Sequence, residues 1–235
     1  MATRQDPAKR AAAITGAAKA RGERSLSEYD SKRILAAYGI PVTREILVRT
    51  LAQAKAAAKR LKYPVVLKAC SADAVHKTEM GLVAVNLVSD RSLSEALRGM
   101  KKRAGSAYAG DFLVQQMIKG EREVAIGMIR DRQFGPSVMF GLGGIFTEAL
   151  EDVVFRIAPV RKRDALEMIR GIRGHKLLQA IRGMPAVDPA ALSKAIIALG
   201  KIGLENPDIE QIDVNPMIIS GASPIAVDAL IVLGR

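Results

Sequence analysis

The stretch IEQIDVNPMIISGASPIAVDALIVL, residues 209–233, constrains this chain most. Two β-branched, apolar runs flank the turn-former SGASP, which predicts two closing strands. Each run is interrupted by a polar group: Asp213 and Asn215 in the first, Asp228 in the second. Residues two apart on a strand share a face, so Asp213 and Asn215 point the same way. If the two strands pair as a hairpin, Asp228 lies near Asn215. Carboxylate and amide oxygens suit Mg²⁺, which completes its shell from water and substrate phosphates. DVNP alone also fits a strand end entering a turn. Asp228 favours the metal, because a buried carboxylate without a partner is costly.

Upstream, Ser27 and Asp30 have capping-box spacing before a helix that Gly39 and Pro41 terminate. Further helices are predicted for TLAQAKAAAKRLKY, SDRSLSEALRGMKKRAG, RKRDALEMIRGIRG and DPAALSKAIIALGKIGLEN, the last capped by Asp188 with Pro189 in its first turn. Strands are predicted for VTREILV, VVLKA, GLVAVNLVS, DFLVQQMI, EREVAIGMIRD, PSVMFGLG and DVVFRIAPV. This order predicts an α+β chain of two lobes. Gly, Ser and Ala cluster in SAYAGD, which sets the boundary: residues 25–110 form one lobe and 111–235 the other. Residues 1–24 are basic and Ala-rich. Asp6 and Glu23 argue against a transit peptide, and a surface helix or linker is expected.

The net charge of +12 fits phosphate-rich small molecules or an acidic partner. Nucleic acid is not expected, because aromatics are 4%, Trp is absent and the cations are spread along the chain. The single cysteine, Cys70, rules out an internal disulfide and a cysteine-based zinc site, so a reducing, cytoplasmic setting is expected. No run of about 18 apolar residues occurs, so no membrane span is expected.

Four more places could carry chemistry. Lys68 interrupts the apolar strand VVLKA, either as a strand end reaching water or as a phosphate-binding lysine. GLGG, ending in Gly143 and Gly144, lets backbone N–H groups approach an anion, or makes an ordinary turn. Arg156 shares a strand face with Val154 and Ala158, and is an edge residue or is aimed at phosphate. Gln116 and Glu123 bracket a short connection between two strands, a natural slot for a base with a carboxylate for ribose hydroxyls. His76, in CSADAVHKTEMGLVAV, is one of two histidines and on its own fits a solvated loop.

Taken together, YGIPV, YPVVLKA, HKTEMGLV, the run from FLVQQMI to VVFRIAPV, and IDVNPM resemble the ATP-grasp β subunit of ADP-forming (NDP-forming) acyl-CoA synthetases, the acetate–CoA ligase group. The resemblance covers about residues 25–235 and implies an ATP-grasp fold with nucleotide between two lobes. It implies that Lys68 holds nucleotide phosphates, that Gln116, Met117 and Ile118 form the adenine hinge, and that Glu123 binds ribose. It places Gly143 and Gly144 in the nucleotide site and Arg156 near the phosphates. Asn215 and Asp228 match the Mg²⁺ ligands, with Asp213 on the face of Asn215. His76 matches the histidine that accepts a phosphoryl group and delivers it to ADP. ATP/ADP and Mg²⁺ are the implied cofactors. A CoA-binding α subunit in an α2β2 assembly is the implied partner. Met80 and Gln211 depart from the family pattern. The alternatives are another ATP-grasp carboxylate ligase without a histidine relay, and a non-catalytic nucleotide-binding assembly subunit.

Overall fold

The computed structural model describes residues 6–71, 81–105, 108, 110–144 and 152–234. The chain divides into two units: Ser27–Tyr29 with Thr43–Met117, and Met1–Leu26 with Asp30–Val42 and Ile118–Arg235.

In the smaller unit, β1 (Glu45–Val48), β2 (Val65–Cys70), β3 (Val83–Leu87) and β4 (Asp111–Gln116) form an antiparallel sheet of order β1-β4-β2-β3. Alternation along β2 sends Val65, Leu67 and Ala69 into the core. Helix α3 (Leu51–Leu61) meets that core through Ala54, Ala57, Ala58 and Leu61, and α4 (Asp90–Ala104) through Leu93, Leu97 and Met100. Both helices begin on a reciprocal cap, Thr50 with Gln53 and Ser89 with Ser92, each contributing about 1 kcal/mol.

In the larger unit, β5 (Glu123–Asp131), β6 (Gly135–Leu142), β7 (Val153–Ile157), β8 (Ile209–Ser220), β9 (Ser223–Ala226) and β10 (Leu230–Leu233) form a second antiparallel sheet, ordered β10-β8-β5-β6-β7 with β9 also on β8. Helices α5 (Lys162–Gly171) and α6 (Pro189–Glu205) pack on one face. Ile126, Met128, Val138, Phe140, Ile212 and Val214 face them, against Leu192, Ile196, Leu199 and Ile202 of α6. Near the N-terminus, α1 (Pro7–Ala20) starts on the Asp6 cap, and buries Ala11, Ile14 and Ala18, so this segment is a core helix and not a linker. Helix α2 (Glu28–Ala37) completes the set.

Two expectations are corrected. The lobe boundary lies between Met117 and Ile118, not at residue 110, because β4 pairs with both β1 and β2 and so is integral to the smaller sheet. Residues 30–42 go with the larger unit, where Val42 bridges Ala226. PIAVDALIVL is two strands, not one: the ladder breaks at residues 227–229, where the Asp228 carboxylate accepts the Ala229 N–H at 2.9 Å. Among the described residues no helix is long and apolar enough to cross a membrane.

Candidate functional site

In the larger unit the polar residues predicted for chemistry converge where β5, β6 and β8 meet. Val214 lies opposite Ile126 and Met217 opposite Val124, so Asn215 and Pro216 together oppose the single residue Ala125. This is a β-bulge, and Pro216, which has no N–H to give a ladder, suits it. On the other edge of β8, Asp213 pairs with Leu230 and Met217 with Ala226. The same register, carried through the break between β9 and β10, puts Asp228 across from Asn215.

The Asp213 carboxyl is pushed up to about 6, first by burial and second by the negative charge of Asp228. The oxygens gathered here belong to two carboxylates and an amide; among the described residues no group of three or more His, Cys, Asp or Glu gathers to hold a metal. That set fits Mg²⁺, which takes the rest of its shell from phosphate and water, and fits zinc poorly.

The glycine loop closes onto this group. The Gly143 N–H donates to the Glu123 carbonyl at 2.9 Å, and the Gly144 N–H donates to Asn215 Oδ1 over a long 3.5 Å. A side chain at Gly143 would strike the Val124 backbone at 2.8–2.9 Å. Gly144 has φ +63°, and a Cβ there would collide with Glu123 Oε2. Glu123 therefore lies directly against the loop. Beside it opens a cavity of about 420 Å³, lined by Leu142, Leu177, Leu178, Ile181 and Met184 as well as Glu123.

Two residues that build this cavity escaped the sequence reading. Buried Arg122 donates to the carbonyls of Leu177, Gln179, Pro185 and Gly221 at 3.2, 3.1, 2.6 and 3.4 Å. Buried Asp152 accepts the N–H groups of Arg173 and Gly174, both at 2.7 Å, and so pins the start of the 3-10 helix Arg173–Leu178. Their partners are distant in sequence, and no local pattern announces them.

Arg156 is not brought to this group. It lies opposite Val138, which lies opposite Met128, which lies opposite Ile212, all on the helix-covered face. Its guanidinium is half exposed and 3.9 Å from Glu167 of α5. Asp213, Gly127, Met139 and Phe155 form the neighbouring row, on the opposite face. Arg156, expected near the phosphates, is thus set on the face that α5 and α6 cover, apart from Asp213 and Asn215.

In the smaller unit Lys68 is 5% exposed and its Nζ donates to Glu28 Oε1 at 2.8 Å. Gln116 accepts from Arg44 Nε at 3.1 Å, and Met117 Sδ accepts the Asn86 N–H at 3.2 Å. Gln116 and Met117 end the smaller unit's stretch of chain and Ile118 opens the larger unit's. His76 and Met80 lie outside the described residues. The other histidine, His175, has Nδ1 3.1 Å from the Ile172 carbonyl, a local contact.

The model of the ATP-grasp domain matches residues 17–233. The chain belongs to the ATP-grasp family. Within it, the β subunit of acetate–CoA ligase [ADP-forming] I from Pyrococcus furiosus is 43% identical, over 92% of this chain and 95% of its own length. Among solved structures, the dinucleotide-forming acetyl-coenzyme A synthetase 1 of Ca. Korarchaeum cryptofilum, in complex with coenzyme A and Ca-AMPCP, matches with TM-score 0.91 and 39% identity, over 95% of this chain and 100% of that one. A second structure of that enzyme, with coenzyme A and Mg-AMPPCP, matches with TM-score 0.84 and 40% identity over the same shares; its phosphohistidine segment points towards its nucleotide binding site. The ATP-grasp fold and the α+β class read from the sequence stand.

Proposed function

We propose that this chain is the nucleotide-handling β subunit of an ADP-forming acyl-CoA synthetase, which with a CoA-binding α subunit interconverts acyl-CoA, ADP and phosphate with acid, CoA and ATP. One observation carries the reading: Asp213 and Asn215 share a face of β8, the glycine loop closes onto Asn215 through the Gly144 N–H, and Asp228 lies close by, a set of oxygens that suits a divalent cation arriving with phosphates. Mg²⁺ held by Asn215, Asp228 and Asp213 would supply charge neutralisation for the phosphates. Lys68 binds those phosphates, Glu123 takes the ribose hydroxyls, Gly143 and Gly144 let the backbone approach, and the hinge at Gln116, Met117 and Ile118 takes the base. The α2β2 assembly and a cytoplasmic location belong to the same reading.

His76 is the phosphoryl carrier. A β-phosphate oxygen of ADP attacks the phosphorus of the phosphohistidine. The O–P bond forms as the N–P bond breaks, and the imidazole nitrogen keeps the electron pair and takes up one proton. Positioning and charge neutralisation supply most of the rate, since phosphoryl transfer asks little covalent chemistry of the protein.

The test is mass spectrometry of the chain after incubation with Mg·ATP. An acid-labile phosphate on His76, lost in His76→Ala together with CoA-ligase activity of the αβ complex, is the expected result. Full activity in His76→Ala would overturn the relay and leave a ligase that activates its acid directly.

A further inference from the structure

We infer that Glu28 is the positioning residue for Lys68. The inference rests on the reading of Lys68 as a nucleotide-phosphate ligand. Along β2, Val65, Leu67 and Ala69 take the side packed against α3 and α4, so Lys68 stands on the other side of the sheet, between Leu113 of β4 and Val83 of β3. There its ammonium meets the Glu28 carboxylate at 2.8 Å, with the two side chains only 7% and 0% exposed. Glu28 is the first residue of α2, where the helix dipole favours a negative charge. Glu28 is 40 residues from Lys68 in sequence, and nothing in the sequence pattern pairs them.

A buried ion pair adds little net stability over two well-packed apolar residues, because desolvating both charges offsets their attraction. Retaining one inside an otherwise apolar strand makes sense when the charge is used. Lysine is a flexible, strongly hydrated point charge. Clamping it to a carboxylate that is itself fixed at a helix start removes that flexibility before phosphate arrives, so less ordering remains to be done on binding.

A purely structural role, tying α2 to β2, predicts something different. The experiment is calorimetric titration of the full chain with Mg·ADP and with AMP, for wild type, Glu28→Gln, Glu28→Asp, Lys68→Met and the Glu28→Gln/Lys68→Met double variant. Gln keeps the size of Glu28 and a hydrogen-bond acceptor, so folding survives; thermal melts confirm it. The expected result is an ADP affinity weakened about tenfold in Glu28→Gln, the equivalent of one charge-assisted hydrogen bond. AMP affinity changes far less, Glu28→Asp recovers part of the loss, and the double variant binds ADP no worse than Lys68→Met alone. Unchanged ADP affinity in Glu28→Gln, with a loss in Lys68→Met, would overturn the inference and leave Lys68 as the ligand. Equal losses for ADP and AMP in Glu28→Gln would also overturn it, in favour of the structural tie. Unchanged ADP affinity in Lys68→Met would instead remove the reading on which the inference stands.

Discussion

Asp228 adds its negative charge to the burial that pushes the Asp213 carboxyl up to about 6 from an ordinary value of 3.8. Between those two values the folded chain binds more protons than the unfolded one. Stability therefore falls as pH rises through this window, and the whole cost is present above about 6. That cost is about 2–3 kcal/mol at most. Without divalent cations, Asp213→Asn is expected to melt at a higher temperature than wild type at pH 7, with the gap closing as the pH falls towards 4. Melts in a chelating buffer across that range check it. A gap that does not change with pH would show that Asp213 is not strained.

Gly144 is expected to be intolerant of any side chain. Its φ of +63° already disfavours alanine, and the added Cβ would occupy the position of Glu123 Oε2. Gly144→Ala should cost about 1–3 kcal/mol in strain. It should also displace the carboxylate proposed for ribose, weakening ADP binding. Calorimetry against Gly39→Ala, a positive-φ glycine with open space around it, separates backbone strain from the loss of Glu123.

Arg122 should matter for folding more than its place beside the site suggests. Its guanidinium gathers four carbonyls from three stretches of chain. Arg122→Met keeps the stem and strips the donors. Leaving those acceptors unpaired is expected to destabilise the chain by about 2–4 kcal/mol, read by urea unfolding. A shift within experimental error would mean that water replaces the guanidinium.

Much of this was legible because it is local. Short apolar runs beside turn-formers identified β2 and β8, and a spacing of two placed Asp213 and Asn215 on one face. The same spacing correctly grouped Arg156 with Val154. It says which residues share a face, but not which face helices will cover, and that is set by the distant packing of α5 and α6. Glu28 and Lys68 failed to declare themselves as a pair for the same reason. The break at Asp228 was hidden by the apolar run around it, which reads as continuous. The Gly- and Ser-rich stretch near residue 106 looked like a linker, yet β4 beyond it pairs back into the smaller sheet. Turn composition marks a loop; only strand pairing tells whether the loop lies inside a unit or between units.

The contrast between Arg156 and Asp228 gives the sharpest test of that geometry. Both are charged residues set in apolar strand sequence, and both resemble functional positions of the family. Asp228 sits across from Asn215 and bears on Asp213, whereas Arg156 lies on the helix-covered face near Glu167. If the face decides, Arg156→Ala should leave Mg·ADP affinity within about twofold, because an exposed ion pair contributes under about 1 kcal/mol. Asp228→Asn should weaken Mg·ADP binding about tenfold or more by removing a charged ligand. It should leave binding of ADP in chelator nearly unchanged, because the lost contact is to the metal. Titrations of both variants with and without Mg²⁺ check this. A loss in Arg156→Ala equal to that in Asp228→Asn would mean that the arginine reaches the nucleotide from a position this packing does not provide.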